Sequence, residues 1–348
     1  MDRARRKVIG GLTSAWLVPR WRWGLAAVFI APAGGLAQPS ARTQPQRVVV
    51  LVLGAQPSNS LDDDRRWFAK EFGKHGLHEG TDIEVTCIST EFLGGMLEEA
   101  MRKAVALRAD VILGNTNGFM VRRVQLPIAR GIPLVVWGGD EPGEDSIEEL
   151  NRRGENVTGA LYSFMELAEM RFAMMKQLKP TARRCALVLG RSPAELADKS
   201  RKEMDRKYDS MWVAKMREHG MDFTSIQIPA DSGPEVVVGA LRASHVDVAE
   251  IECCGGRALW AALAKNGILA SSGGARSVEE GALLGGWTVG YVGTAVRLAT
   301  RVLRGARAAD IPVERAMRYG LAVNLGTAKV LGITVPSSIL IRADRVFE

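Results

Sequence analysis

The sequence predicts an α/β protein with two parallel-sheet units in tandem, and three observations carry that prediction. From Arg47 onward, apolar runs of strand length alternate with helical patterns. The runs are apolar at successive positions and rich in β-branched residues, as strands covered on both faces require. A second series of similar length and order follows Asn156-Val157-Thr158-Gly159. At 348 residues the chain has room for two domains, because a single core rarely grows past about 250–300 residues.

The elements follow in order. RVVVLVLG (47–54) reads as a central strand ending at Gly54. SLDDDRRWFAKEFGKHG opens a helix, with Ser60 as N-cap, acids in the first turn, and Leu61, Trp67, Phe68 and Phe72 at helical spacing. IEVTCIST (83–90) is the second strand, and FLGGMLEEAMRKAVALRA supplies the second helix. DVILG (110–114) is a strand, QLPIARG (125–131) ends a helix, and PLVVWGG (133–139) is the fourth strand. SFMELAEMRFAMMKQLKP then forms a Met-rich amphipathic helix stopped by Pro180. RRCALVLG (183–190), a long charged helix to His219, FTSIQI (223–228), a helix 234–243, VDVAEIECC (246–254), a helix 257–266 and ILASS (268–272) complete the second series. A last long helix, about 288–303, stops at Arg304-Gly305.

The N-terminus has its own logic. Of the formal net charge of +7, residues 1–37 contribute +5, from six Arg and Lys against Asp2. The remainder is nearly balanced, so no polybasic face for nucleic acid is required of the folded part. A cationic patch, the apolar run 24–33 and the small residues before Gln38 have the layout of an export signal cleaved near Ala37. The alternative is an uncleaved anchor, but Arg20 and Arg22 interrupt the stretch long enough to span a bilayer. Arg5-Arg6 also resembles a loose twin-arginine signal. Residues 38–46 read as a flexible leader.

Open parallel sheets bind ligands at the carboxyl ends of their strands. There the first series offers GAQPSNS (54–60), GNTNG (114–118) and WGGDEPGE (137–144), and the second GRSPAE (190–195), CCGG (253–256) and SSGGA (271–275). Each alone is a turn; together they read as two walls facing one cleft, lined by backbone N–H, amide and hydroxyl groups. Enzyme signatures are missing from the sequence: no GxGxxG after a strand, no Walker A run, no GxSxG elbow. Asp62, Asp63 and Asp64 read as first-turn surface acids, and His75 and His78 as solvated groups at a helix end. Cys87 and Cys185 fall in core strands as free thiols. Cys253 and Cys254 are either a vicinal disulfide or one buried thiol and one lining the cleft.

The final segment, LRGARAADIPVERAMRYGLAVNLGTAKVLGITVPSSILIRADRVFE, resembles the ending of the ABC transporter substrate-binding proteins of the tryptophan-binding type. GENVTG (154–159) is similar to that family's mid-chain signature. The resemblance implies a type I periplasmic binding protein fold: two Rossmann-like lobes with parallel sheets, joined by a three-strand hinge. On that expectation lobe one comprises 47–160 with 281–308, and lobe two 161–280 with 309–348. Three loops depart from the family pattern. Glu141 is inserted after Asp140, Arg191-Ser192-Pro193 stands where Asn-Pro is usual, and Gly285-Gly286-Trp287-Thr288-Val289-Gly290 replaces a G-G-L-x-S-Y-G segment.

The function implied is that of a secreted solute-binding component of an ABC importer. It would hold a small molecule, an amino acid or related metabolite, between the lobes and deliver it to a membrane permease. The expected ligand contacts are Gln56, Ser58, Asn59, Asn115, Thr116, Asn117, Asp140, Arg191, Ser192, Cys253, Ser271, Ser272 and Trp287. Arg191 suits a ligand carboxylate, and Trp287 or Trp137 an aromatic or cationic group. No catalytic residue, metal, cofactor or nucleic-acid partner is expected, and the chain is expected to be a periplasmic monomer. The alternative from a different class is an extracytoplasmic sensing module that signals to a membrane receptor. A secreted α/β enzyme lacks its constellation, and a cytoplasmic repressor would need a DNA-reading helix pair where the export signal stands.

Overall fold

The computed structural model describes residues 44–53, 60–90, 95–141, 143–197, 199–252, 255–316 and 318–348. The segments expected to be an export signal and, for the most part, a flexible leader lie outside the described residues. Two sheets organise the rest. The first contains β1 (Gln46–Leu53), β2 (Ile83–Thr90), β3 (Val111–Asn115), β4 (Leu134–Gly139), β5 (Val157–Tyr162) and the two-residue β11 (Glu314–Arg315). Their order is β11-β5-β4-β3-β1-β2, every pair parallel. The second contains β6 (Arg184–Arg191), β7 (Asp222–Pro229), β8 (Val248–Glu252), β9 (Leu269–Gly273), β10 (Leu284–Thr288), β12 (Tyr319–Asn324) and β13 (Arg345–Phe347). Their order is β13-β12-β10-β9-β8-β6-β7, parallel except where β12 runs against β10.

Helices cover both faces of each sheet, which is why the strands are apolar on both sides. On one face of the first sheet, Phe68 and Phe72 from helix Leu61–Gly73 pack with Ala295, Leu298 and Ala299 from helix Tyr291–Leu303. Leu97 and Met101 from helix Gly95–Ala106 cover the other. In the second sheet, helix Phe164–Leu178 and helix Lys199–Glu218 bring Phe172 and Trp212 onto one face. Helices Pro234–Ala243 and Arg257–Lys265 seal the opposite one with Leu241, Trp260 and Leu263. Trp212 stacks on Phe223 with ring centroids 5.5 Å apart and meets Phe164 and Phe172 edge-on.

Local signals resolve as read. Ser60 caps its helix, its hydroxyl accepting from the Asp63 N–H at 3.2 Å, while Asp63 accepts in return from the Ser60 N–H. Trp67, expected on the apolar stripe, is exposed instead, because the stripe is satisfied by Phe68 and Phe72 alone.

The chain crosses between sheets three times: from β5 into helix 164–178, from β10 into helix 291–303, and from β11 to β12. This is the expected two-lobe α/β architecture. Two expected boundaries shift. Residues 281–308 were assigned to the first lobe, but β10 pairs with β9 and β12 in the second sheet, and only the helix from Tyr291 lies on the first. Conversely β11, within the 309–348 segment assigned to the second lobe, pairs with β5 in the first sheet. Periodicity identifies such short strands poorly, and it says nothing about which edge accepts them.

The C-terminal tail closes the second sheet. The Asn324 side chain accepts from the Thr327 N–H at 2.8 Å, capping helix Leu325–Val330, and donates to the Val278 carbonyl at 2.7 Å. Gly332 adopts φ +68, a left-handed stop. Beyond Pro336, Ile339 enters the core and β13 pairs with β12.

Candidate functional site

The carboxyl ends of the parallel strands define the region where a ligand would sit. Gln56, Ser58, Asn59 and Cys253, all expected there, lie outside the described residues, as does Cys254. The other expected contacts divide into those already engaged by the protein and those still open.

Asp140, at the end of β4, is engaged. It is buried, and its carboxylate accepts from the Gly118 N–H at 2.9 Å and the Ile147 N–H at 2.8 Å. It thereby ties the start of helix 118–129 to the start of helix Ile147–Arg152. Only glycine fits at 118: an added Cβ would lie 1.7 Å from the Asp145 carbonyl oxygen. Burial pushes the Asp140 carboxyl up to about 6, although both N–H bonds and the Arg315 guanidinium favour the charge. Asn117 is engaged too, capping its helix by accepting from the Met120 N–H at 3.0 Å.

Arg191 is buried and paired with Asp205 of helix 199–218 at 3.2 Å, and Asp205 also accepts from Gln227 at 2.8 Å. The adjacent Ser192 is half-buried, and its carbonyl accepts from Leu196 N–H. Ser271 is buried and donates to Glu250. Ser272 meets the Ser277 hydroxyl at 3.5 Å. Trp287 lies across its pair partner Gly320, where a Cβ would fall 2.3 Å from the indole. Trp137 packs on Phe68 in the first core.

Two groups are open among the described residues. Asn115, at the end of β3, is half-buried over Gly138 and makes no side-chain hydrogen bond with described residues. Thr116 is buried, and its hydroxyl has no partner. Both thiols expected in core strands are free: burial pushes Cys185 and the half-buried Cys87 up to about 12.

The sequence reading missed the charged centre of the second lobe. Arg171, from the middle of the Met-rich helix, is completely buried. Its Nε donates to Glu250 at 2.9 Å, Nη2 completes the fork, and Nη1 donates to the Gly286 carbonyl at 3.2 Å. Glu252, two residues further along β8 on the same face, lies 3.5 Å from the same guanidinium. The available signal was Arg171 itself, a cation on an apolar helix stripe. Charges there are almost never buried unless paired.

Also missed was the junction around the first two crossings. Tyr162 ends β5, Tyr291 begins helix 291–303, and their rings meet edge-on at 5.4 Å. Burial, then the charges of Glu252 and Glu141 among its neighbours, raise the Tyr162 phenol. The inserted Glu141 finds its partners across the first crossing: its carboxylate accepts from the Ser163 hydroxyl and the Met165 N–H, each at 2.8 Å. A residue from the first lobe thus caps the first helix of the second.

Among the described residues no group of three or more His, Cys, Asp and Glu side chains is placed to hold a metal ion. No helix among them is long and apolar enough to cross a membrane. What the arrangement provides is a buried charged cluster at the end of β8 and a pair of tyrosines where the first two crossings meet.

Residues 50–347 match the family of ABC transporter substrate binding proteins. This chain belongs to that family. Its fold is shared with a conserved domain protein from Vibrio cholerae, at 19% identity and TM-score 0.67, covering 87% of this chain and all of that one. A Streptococcus pneumoniae ABC domain in complex with L-Trp gives 18% identity, the same coverages and the same TM-score. A periplasmic solute-binding protein from Actinobacillus succinogenes with bound D-allose gives 14% identity and TM-score 0.52, covering 82% of this chain and 99% of that one. No curated protein sequence matches this substrate-binding protein. At such identities the fold carries over and the ligand contacts do not.

Proposed function

We propose that this substrate-binding protein is the exported solute receptor of an ABC importer, holding one small molecule between its lobes and presenting it to a membrane permease. The observation that carries the reading is topological. Two sheets are connected by three crossings, and the Tyr162–Tyr291 ring contact and the Glu141 hydrogen bonds lie at the first two of them. Relatives with this fold hold L-Trp and D-allose.

The mechanism needs no bond to be made or broken. The crossings act as hinges, and the ligand stabilises the closed arrangement by contacting both lobes at once. It shifts the population only as far as its affinities for the open and closed forms differ. Glu141 spans the first crossing, so its two hydrogen bonds set part of the hinge geometry. Asn115 and Thr116 from the first lobe, with the region around Glu252 from the second, are the contacts we assign to the ligand. Export with cleavage near Ala37 would place the mature chain in the periplasm.

The test is direct. Protein purified without refolding is compared by native and denaturing mass spectrometry, and its radius of gyration is measured before and after the released compound is restored. A stoichiometric small molecule and a contraction on adding it back are expected. A chain that releases nothing, and contracts with no member of amino-acid, amine and sugar panels, would sink the proposal.

A further inference from the structure

We infer that Glu252, backed by Arg171 and Glu250, is the receptor for a protonated amine group on the ligand; this deepens the solute-binding reading and rests on it. The argument begins with charge. Arg171 is matched by Glu250 through a two-pronged contact, and Ser271 donates to Glu250 as well. Glu252 is therefore the surplus carboxylate of the group, 3.5 Å from a guanidinium already neutralised by another acid. Its placement differs from that of its neighbours. Arg171 and Glu250 side chains are 1% and 0% exposed, whereas Glu252 keeps 28%. Glu252 is thus the member of the group that a molecule from solvent can reach, and Gly273 beside it brings no side chain, a Cβ there falling 3.7 Å from its carboxylate.

Tyr162, whose phenol feels the Glu252 charge, meets Tyr291 edge-on at 5.4 Å. A surplus carboxylate suits a cation, which pairs with the charge and donates charge-assisted hydrogen bonds to it. An independent feature lies on the lobe-two side. Thr288 shares with Gly286 the face of β10 turned towards Arg171, it is 8% exposed, and its hydroxyl has no partner. A buried hydroxyl left unsatisfied is a vacancy that a ligand N–H can fill.

Binding then exchanges one positive charge for another. In the empty protein, burial and the adjacent Glu250 hold the Glu252 carboxyl well above the usual range. When the ammonium arrives, the carboxyl proton leaves to solvent and the amine N–H groups take its place. The groups acting on Glu252 are Arg171, Glu250 and the Gly273 N–H from its own lobe, and Tyr162 from the other. Of these only Arg171 opposes a bound cation, and Glu250 already matches it. Because the carboxylate must be ionised to bind, affinity rises with pH until Glu252 has lost its proton in the free protein.

Calorimetry of the full mature chain tests this, using amino acids and simple primary amines, their N-acetyl counterparts, and neutral sugars as probes. An amine should bind, with N-acetylation and Glu252→Gln each weakening it at least about tenfold, as loss of a charged hydrogen bond does. Titrations in buffers of different ionisation enthalpy should show proton release below the pH at which affinity levels off. Glu252→Gln mimics the protonated carboxyl, so its melting temperature should equal or exceed that of the parent and confirm folding. A neutral sugar bound equally by parent and Glu252→Gln overturns the inference while leaving solute binding intact. An amine bound equally by both also overturns it. If no probe binds and no compound is released on denaturation, both this inference and the solute-binding reading fail.

Discussion

Asp140 and Arg171 show how a buried polar side chain can have its hydrogen bonds taken up by the protein itself. Asp140 accepts one N–H on each carboxylate oxygen, so it fixes two helix starts beyond the end of β4. Its folded pKa of about 6 lies above the ordinary 3.8, so the folded state binds more protons than the unfolded state between those values. Its contribution is therefore fully present below about pH 4, declines as pH rises from there and is lost above about 6. The stability difference between the parent and Asp140→Asn, followed by urea unfolding across pH 3.5–7, should shrink with rising pH by on the order of 2–3 kcal/mol. A flat difference would mean that the two N–H bonds cancel the burial. Arg171 belongs to the opposite kind of site, where removing one partner strands the other. Glu250 without it would be a buried, uncompensated charge, typically a loss of about 3–5 kcal/mol.

At the scale of elements, the second lobe depends on aromatic packing between helices 164–178 and 199–218. Trp212 touches Phe164, Phe172 and Phe223, and it is almost completely buried. Trp212→Ala should cost about 3–5 kcal/mol in equilibrium unfolding, with most of the loss from the cavity left behind. A change under 1 kcal/mol would mean that the two helices close over the gap. These helices were legible in the sequence because their stripes recur at helical spacing. Helix 199–218 was legible despite its charge, since Trp212 and Met216 supply the buried face. The strands β5, β10, β11, β12 and β13 were not read from the sequence; β11 and β13, at two and three residues, carry too little periodicity to separate strand from loop.

For the molecule as a whole, the C-terminal tail is what completes the second lobe after the chain has crossed for the third time. Val335 and Ile339 enter its core, and β13 covers the edge of β12. Truncation after Gly332 should therefore uncover β12 and loosen that lobe selectively. Hydrogen exchange would register it as lost protection in Tyr319–Asn324, with β1 to β4 still protected. Uniform loss across both sheets would instead mean that the lobes unfold as one unit. Such interdependence is the expected consequence of lobe two being assembled from non-contiguous segments.

The alternation of apolar strands with amphipathic helices, the tandem arrangement and the cap at Ser60 were settled by the sequence alone. Each is a short-range property, decided by residues within a few positions of one another. Only the tertiary structure decided that Leu284–Thr288 belongs to the second sheet, that Glu141 caps a helix of the other lobe, and that Asp140 and Arg191 are already partnered. Which edge receives a strand, and whether a side chain's hydrogen bonds are spent, depends on atoms brought near by residues far apart along the chain. The same holds for Glu252: its charge is written in the sequence, but its place beside Arg171 comes only from bringing together segments distant along the chain, as the 3.5 Å contact shows.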